Sequence, residues 1–165
     1  MPSGHKFRRP QAVLRPAGQT NRLPADSEAL FVYGTLLFPD VLQVLLGRVP
    51  NRTVAAAAGW RVAALAGRRY PGLVPGDGQA SGMLITGLTP DEWRILNAFE
   101  DNVYELRRLT LTDARHGWAY VYSDDREVLT DDWDAERFAA EHLPSYVQAC
   151  AAWRRRYDGG AVGRR

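Results

Sequence analysis

"ALFVYGTLLFPDVLQVLLG", residues 29 to 47, decides how the rest of the chain is read. Leu30 to Tyr33 is a short apolar run of β-formers broken by Gly34, the pattern of a buried strand feeding a turn. Pro39 then suits a first helical turn, Val41, Leu42, Leu45 and Leu46 recur at helical spacing, and Gly47 is a stop. A strand, a glycine turn and a helix packed this tightly expose consecutive backbone N–H groups near a helix N-terminus, a cradle for a carboxylate or a developing oxyanion. Many strand-to-helix turns need a glycine for geometry alone, so the stretch by itself permits either reading.

Downstream, "TVAAAAGWRVAAL" (53 to 65) sets the helix preference of alanine against Gly59, Trp60 and Val62, and reads as two short strands. "RRYPGLVPGDGQASGMLITGL" predicts a short strand at 70 to 74, a turn at "PGDG", and a stronger strand from Ala80 to Leu88; the glycine cluster at 76 to 82 is a hairpin loop on this reading. In "TPDEWRILNAFE" Thr89 is an N-cap, Pro90 the first helical residue, and Glu92 completes a capping box. "LRRLTLTDA" and "GWAYVYSD" form a strand pair about an "RHG" turn, with Trp118, Tyr120 and Tyr122 alternating. "DDWDAERFAAEHLPSYVQACAAWRRRYDGG" gives two helices parted near Leu143 and Pro144. About six strands interleaved with four helices, without regular alternation, indicate an α+β domain with a mixed sheet or small barrel.

Composition bounds the function. Five Trp, seven Tyr and five Phe in 165 residues suffice for the core of one domain. No stretch approaches the roughly 20 apolar residues of a membrane span, and no apolar run like that of a secretory signal opens the chain, so a soluble, cytoplasmic protein is expected. The formal charge of +2 is segregated: Lys6, Arg8, Arg9, Arg15 and Arg22 stand before any acid, leaving 16 basic and 19 acidic groups from residue 26 onward. Residues 1–27 read as a disordered basic extension, 28–157 as the domain, and 158–165 as a flexible tail. Such an arm can meet acidic partners non-specifically, but a solvated tail accounts for it, and no specific nucleic-acid partner is indicated. Cys150 lies in an apolar helical setting and reads as a structural thiol. His5, His116 and His142 are scattered, and no G-x-S-x-G, H-E-x-x-H or Walker A run occurs, so a metalloenzyme is not indicated.

The candidate for chemistry is Glu100. At about 100° per residue, Trp93, Leu96 and Glu100 share one side of their helix, which puts the carboxylate at the rim of a buried stripe. Desolvation, the negative end of the helix dipole and neighbouring Asp101 all push its pKa upward. A carboxylate tuned toward neutrality suits a general base that later returns its proton. The same spacing also fits a glutamate that starts a loop and points into water.

Taken together, the segments resemble the γ-glutamylcyclotransferase-like family, in its branch of AIG2-like and γ-glutamylamine cyclotransferase-like proteins. "FVYGTLL" is similar to the family's Y-G-[ST]-L strand and turn, and "YPGLVPGDGQASGMLITGL" to the loop and strand before its helix. "LNAFEDNVYELRRLTL" resembles L-x-x-[FY]-E-G-x-x-Y-x-R, "GWAYVY" the A-[WY]-V-Y strand, and "WDAERFAAEHLPSY" the W-x-x-E-x-F-x-x-x-H-L-x-x-[FY] helix, in the family's order from about residue 29 to 157. The resemblance implies a small mixed β-barrel with flanking helices and a γ-glutamyl compound as substrate, cyclised to 5-oxoproline with loss of an amine or amino acid. Glu100 would be the general acid/base; the backbone of Tyr33, Gly34, Thr35 and Leu36 would hold the substrate carboxylate or oxyanion; Tyr104 and Tyr122 would line the pocket. The chemistry is intramolecular and calls for no metal or nucleotide. Two positions depart from the pattern: Asp101 stands where the family has Gly, and Leu106 where it has Arg. A binding or regulatory module on the same fold, and a cyclotransferase for a dedicated biosynthetic intermediate, remain open on sequence grounds.

Overall fold

The structure, a computed structural model, describes residues 29–100 and 102–163; the basic extension expected over 1–27 and Asp101 lie outside them. Strand β1 (Leu30–Val32) is buried along its whole length because it runs through the middle of the sheet. It pairs antiparallel with β3 (Gly72–Ile85; Phe31↔Leu84) and parallel with β5 (His116–Tyr122; Leu30↔Trp118). After Gly34, a 3-10 turn (Thr35–Leu37) leads into helix α1 (Pro39–Leu46), which buries Val41, Leu42 and Leu45 and ends at Gly47 in the left-handed region at φ 79°.

The next segment departs from expectation. Two short strands within 53–65, a third at 70–74 and a fourth from Ala80 to Leu88 across a "PGDG" turn are expected; instead β2 (Arg52–Leu65) and β3 form one hairpin whose arms are 14 residues each, reversing at 66–71. The ladder passes from Ala58↔Gln79 to Trp60↔Pro75, so Gly76, Asp77 and Gly78 stand opposite Gly59 alone. Gly59 and Gly78 take φ of 85° and 82°, which lets both arms bulge there and resume pairing. The turn chemistry of "PGDG" is real, but it bends a ladder and does not end one.

Helix α2 (Pro90–Phe99) carries the expected box: Thr89 Oγ1 accepts from the Glu92 N–H at 3.1 Å and Glu92 Oε1 from the Thr89 N–H at 3.0 Å. Arg48 adds two hydrogen bonds to the same carboxylate, 2.6 and 2.7 Å, fixing the start of α2 to the loop after α1. β4 (Tyr104–Thr110) pairs antiparallel with β5, Leu106 opposite Tyr120. Their reversal falls at 111–115, with Ala114 at φ 74°, so His116 and Gly117 belong to β5 and not to the expected turn. A strand absent from the sequence reading, β6 (Val128–Asp132), pairs with the end of β2. Helices α3 (Ala135–Glu141) and α4 (Leu143–Gly163) follow, parted as expected. α4 runs past residue 157, where the sequence places the end of the domain.

The six strands form one mixed sheet in the order β4-β5-β1-β3-β2-β6, and β5 also meets β3, which curls the sheet into a half-barrel with four α-helices. Its two faces bury separate clusters. One packs Leu30, Val32, Ile85 and Tyr120 against Leu42, Trp93, Phe99, Tyr146 and Trp153 of the helices; Cys150 is buried there too. The other, around Phe31, Leu73, Leu84 and Val121, draws on the strands, the residues flanking β1 and the β4–β5 turn. That turn reaches across to β2: the Thr112 N–H donates to Ala56 O at 2.9 Å, and Arg115 donates to Val54 O at 2.9 Å and Thr53 Oγ1 at 2.7 Å. Among the described residues no helix is long and apolar enough to cross a membrane.

Candidate active site

The end of β1 and the end of α2 meet at one recess. Just after β1 come Tyr33 and Gly34, then Thr35 and Leu36 of the 3-10 turn; from the reversal of the β2–β3 hairpin come Tyr70 and Pro71; from the C-cap of α2, from β4 and from β5 come Glu100, Tyr104 and Tyr120. About 330 Å³ within it is free of protein atoms, part of this open to solvent. A Cβ on Gly34 would lie 2.7 Å from Pro71 Cγ and 3.0 Å from its Cδ, so glycine is what lets the turn lie flat on the Tyr70–Pro71 segment. Within the turn the Leu37 N–H donates to Gly34 O at 2.9 Å. The amides of Thr35 and Leu36, at its start, have no carbonyl inside the turn to serve.

Glu100 sits immediately after α2 as its C-cap, with extended backbone (φ −73°, ψ 142°) and its N–H donating to Leu96 O at 3.0 Å. It is 8% exposed. Thr35, Glu92 and Glu100 are the buried polar residues among those described, and two of the three face this recess. Glu92 is held by Arg48 and its capping box, and Glu100 lies in the wall of the recess.

The phenols around it form a fixed, protonated wall. The Tyr33 hydroxyl donates to Tyr120 O, and that of Tyr104 to Pro71 O at 2.6 Å. Burial raises both well above the usual phenol value of 10.0; the Glu100 charge adds to this for Tyr33, and the charges of Tyr33 and Glu100 for Tyr104. Tyr146, reaching in from α4, is raised by burial, then by Cys150 and more weakly by Glu100, and its hydroxyl donates to Thr35 Oγ1 at 3.3 Å. The Tyr70 hydroxyl accepts from Arg68 Nη1 at 2.7 Å.

Six of the seven residues singled out in the sequence meet here: Tyr33, Gly34, Thr35, Leu36, Glu100 and Tyr104. Tyr122 does not line the recess. It lies edge-on to Tyr104, ring centroids 5.2 Å apart, and donates to Glu127 Oε1 at 2.6 Å. The place expected for it is taken by Tyr120, and Tyr70 and Pro71 complete the wall although only the flanking motif signalled them. Leu106, where the resemblance has an arginine, is buried in the helix-side cluster, and Arg107 is turned toward Trp60, 6.0 Å from its ring. Among the described residues no three His, Cys, Asp or Glu side chains are grouped to hold a metal ion.

A family model described as "Gamma-glutamyl cyclotransferase, AIG2-like" matches residues 30–135. AIG2-like protein C of Arabidopsis thaliana is 36% identical over 127 residues, covering 73% of this chain and 74% of the relative. AIG2-like protein A of the same plant is 42% identical over 129 residues, 72% of this chain and 76% of the relative. A solution structure of an Arabidopsis thaliana protein superposes with a TM-score of 0.59 at 27% identity, covering 76% of this chain and 81% of the other.

Proposed function

Because the chain belongs to the gamma-glutamyl cyclotransferase, AIG2-like family, we propose that its recess cyclises a γ-glutamyl compound to 5-oxoproline. The observation that carries this reading is the burial of Glu100, 8% exposed, in the same recess as the Tyr33–Leu36 turn.

Glu100 takes a proton from the substrate α-ammonium, and the freed amine attacks the substrate's own γ-carbonyl carbon, closing a five-membered ring. The carbonyl oxygen becomes an oxyanion, and the unspent amides of Thr35 and Leu36 are the donors available to it. As the intermediate collapses, the bond to the leaving nitrogen breaks and Glu100 delivers the proton there. The two protons that the α-nitrogen loses in passing from ammonium to lactam N–H are the two that the leaving nitrogen gains as it departs as an ammonium. Tyr33 and Tyr104 spend their protons on backbone carbonyls, so they shape the recess and leave proton transfer to Glu100.

The test is 5-oxoproline release, read by mass spectrometry, from a panel of γ-glutamyl amines, amino acids and ε-lysine isopeptides. Product from the wild type and none from Glu100→Gln, with the variant melting normally, is the expected result. Undiminished product from the variant would remove Glu100 from the chemistry; no product from any member would leave the binding-module reading.

A further inference from the structure

Tyr33 and Tyr104 are held in the recess wall by main-chain carbonyls, whereas the hydroxyl of Tyr70 is held by a side chain, the guanidinium of Arg68. That guanidinium forks onto Glu127, Nε to Oε1 and Nη2 to Oε2, both at 3.2 Å. Glu127 also takes the Tyr122 hydroxyl at 2.6 Å, Tyr122 lies edge-on to Tyr104, and the Tyr104 ring lies 6.4 Å from that of Tyr70. Tyr70, Arg68, Glu127, Tyr122 and Tyr104 thus close a ring that contains two residues of the recess wall.

The ring joins two segments that the sequence reading did not connect. Arg68 stands in the β2–β3 reversal, and Glu127 ends the 3-10 turn (Asp125–Glu127) that leads into β6. The Ala66 N–H donates to Glu127 O at 2.8 Å and Leu65 pairs with Val128, so the main chain already fixes that turn on the reversal. The ion pair is not needed to join them. Its side chains are 14% and 29% exposed, and at such burial the cost of desolvating two charges offsets much of their attraction. What a two-pronged pair adds is direction. Glu127 is held below its ordinary 4.5, first by the Tyr122 hydroxyl and then by Arg68, so the pair is charged at neutral pH.

We propose that Arg68 and Glu127 are positioning residues of the candidate active site, which hold the Tyr70 hydroxyl where it meets the bound γ-glutamyl compound; the inference rests on the cyclotransferase reading. Neither residue lines the recess. Glu127 acts through Arg68, and Arg68 acts through Tyr70.

The test uses the full chain and those members of the γ-glutamyl panel that wild type turns over to 5-oxoproline. kcat/KM should fall about tenfold or more in Tyr70→Phe and in Arg68→Met. Glu127→Gln, which keeps an oxygen for Tyr122 and removes the charge that orients Arg68, should fall in the same direction, and it takes the place of Arg68→Met below if that variant does not fold. The deciding protein is the double variant, Tyr70→Phe with Arg68→Met. With the hydroxyl gone Arg68 has nothing left to place, so the double variant should be no slower than Tyr70→Phe alone. Losses that multiply, wild-type turnover in Tyr70→Phe, or an Arg68→Met protein whose only deficit is a lower Tm each overturn the proposal and leave the cyclotransferase standing. A second readout does not depend on turnover: in a crystal structure of Arg68→Met the Tyr70 hydroxyl should stand about 1 Å or more from its wild-type place. An unmoved hydroxyl overturns the positioning. A displaced hydroxyl, with no 5-oxoproline from any substrate in wild type, fails the cyclotransferase reading alone.

Discussion

Replacing Gly34 with alanine tests the link between the sequence motif and the site at one atom. The added Cβ would stand 2.7 Å from Pro71 Cγ and 3.0 Å from Cδ, where ordinary carbon contacts begin near 3.4 Å. Both neighbours belong to a closed ring that cannot rotate away, so the turn and the Tyr70–Pro71 segment must part by most of an ångström. Pro71 O is also the acceptor for Tyr104, so the separation moves a second wall residue. Forcing a methyl into such a contact costs about 1–3 kcal/mol. At roughly 2–4 °C per kcal/mol for a domain of this size, the Tm should fall by about 2–12 °C. Displacing the Thr35 and Leu36 amides by that distance should also cost on the order of 100-fold in kcat/KM. Gly159→Ala is the control: it lies in α4 with nothing within 4 Å of its added Cβ, and exchange within a helix should stabilise by about 0.5–1 kcal/mol. Thermal melts and 5-oxoproline release on the two variants decide the matter. A Gly34→Ala protein with the wild-type Tm and wild-type turnover would refute the close-approach argument.

Other expectations follow from charge. Arg48 holds Glu92 below its ordinary 4.5, so the pair stabilises the fold above that pH and the contribution is lost as pH falls through the lowered value. With the arginine side chain 46% exposed, Arg48→Met should cost only about 1 kcal/mol at pH 7, and urea melts at pH 7 and pH 3 should show the deficit shrinking in acid. Tyr33, Tyr104, Tyr122 and Tyr146 are all raised above 10.0, burial being the largest cause in each. Raised groups stabilise fully below the unfolded value and lose that contribution as pH climbs toward the folded one, so unfolding should set in above pH 10. Phenolate absorbance at 295 nm should therefore rise in two steps, the second coincident with loss of near-ultraviolet circular dichroism. A single smooth step accounting for all seven tyrosines in a folded protein would contradict the burial.

Much of this arrangement was legible in the sequence because short-range chemistry dictated it. The Gly34 turn, Pro39 and the Thr89–Glu92 box are local signals, and each appears where its residues put it. The β2–β3 hairpin was not legible, since an alanine run has no pleat preference and "PGDG" carries the same residues whether it ends a ladder or bends one. β6 was hidden because "VLTDD" gains its strand character from pairing with the end of β2. The misplacement of Tyr122 has a similar origin. Tyr120 and Tyr122 share a face of β5, and alternation cannot say which stands at the recess; that depends on the parallel register Leu30↔Trp118 and on Glu127 capturing the Tyr122 hydroxyl. Tyr70 and Pro71 belong to the hairpin reversal, whose position moved with the ladder.

The seat of the β4–β5 turn on β2 matters beyond geometry. Among the described residues β6 pairs with β2 near Ala63 and Leu65, and residues 53–58, an uncharged "TVAAAA" with Val54 exposed, form a sheet edge covered by Thr112 and Arg115. While the chain is being synthesised this edge is made before its cover, which lies about sixty residues downstream. In that interval it is a template for β-addition by another nascent chain. Arg115→Ala should therefore lower the yield of soluble protein at high concentration before it lowers the melting temperature.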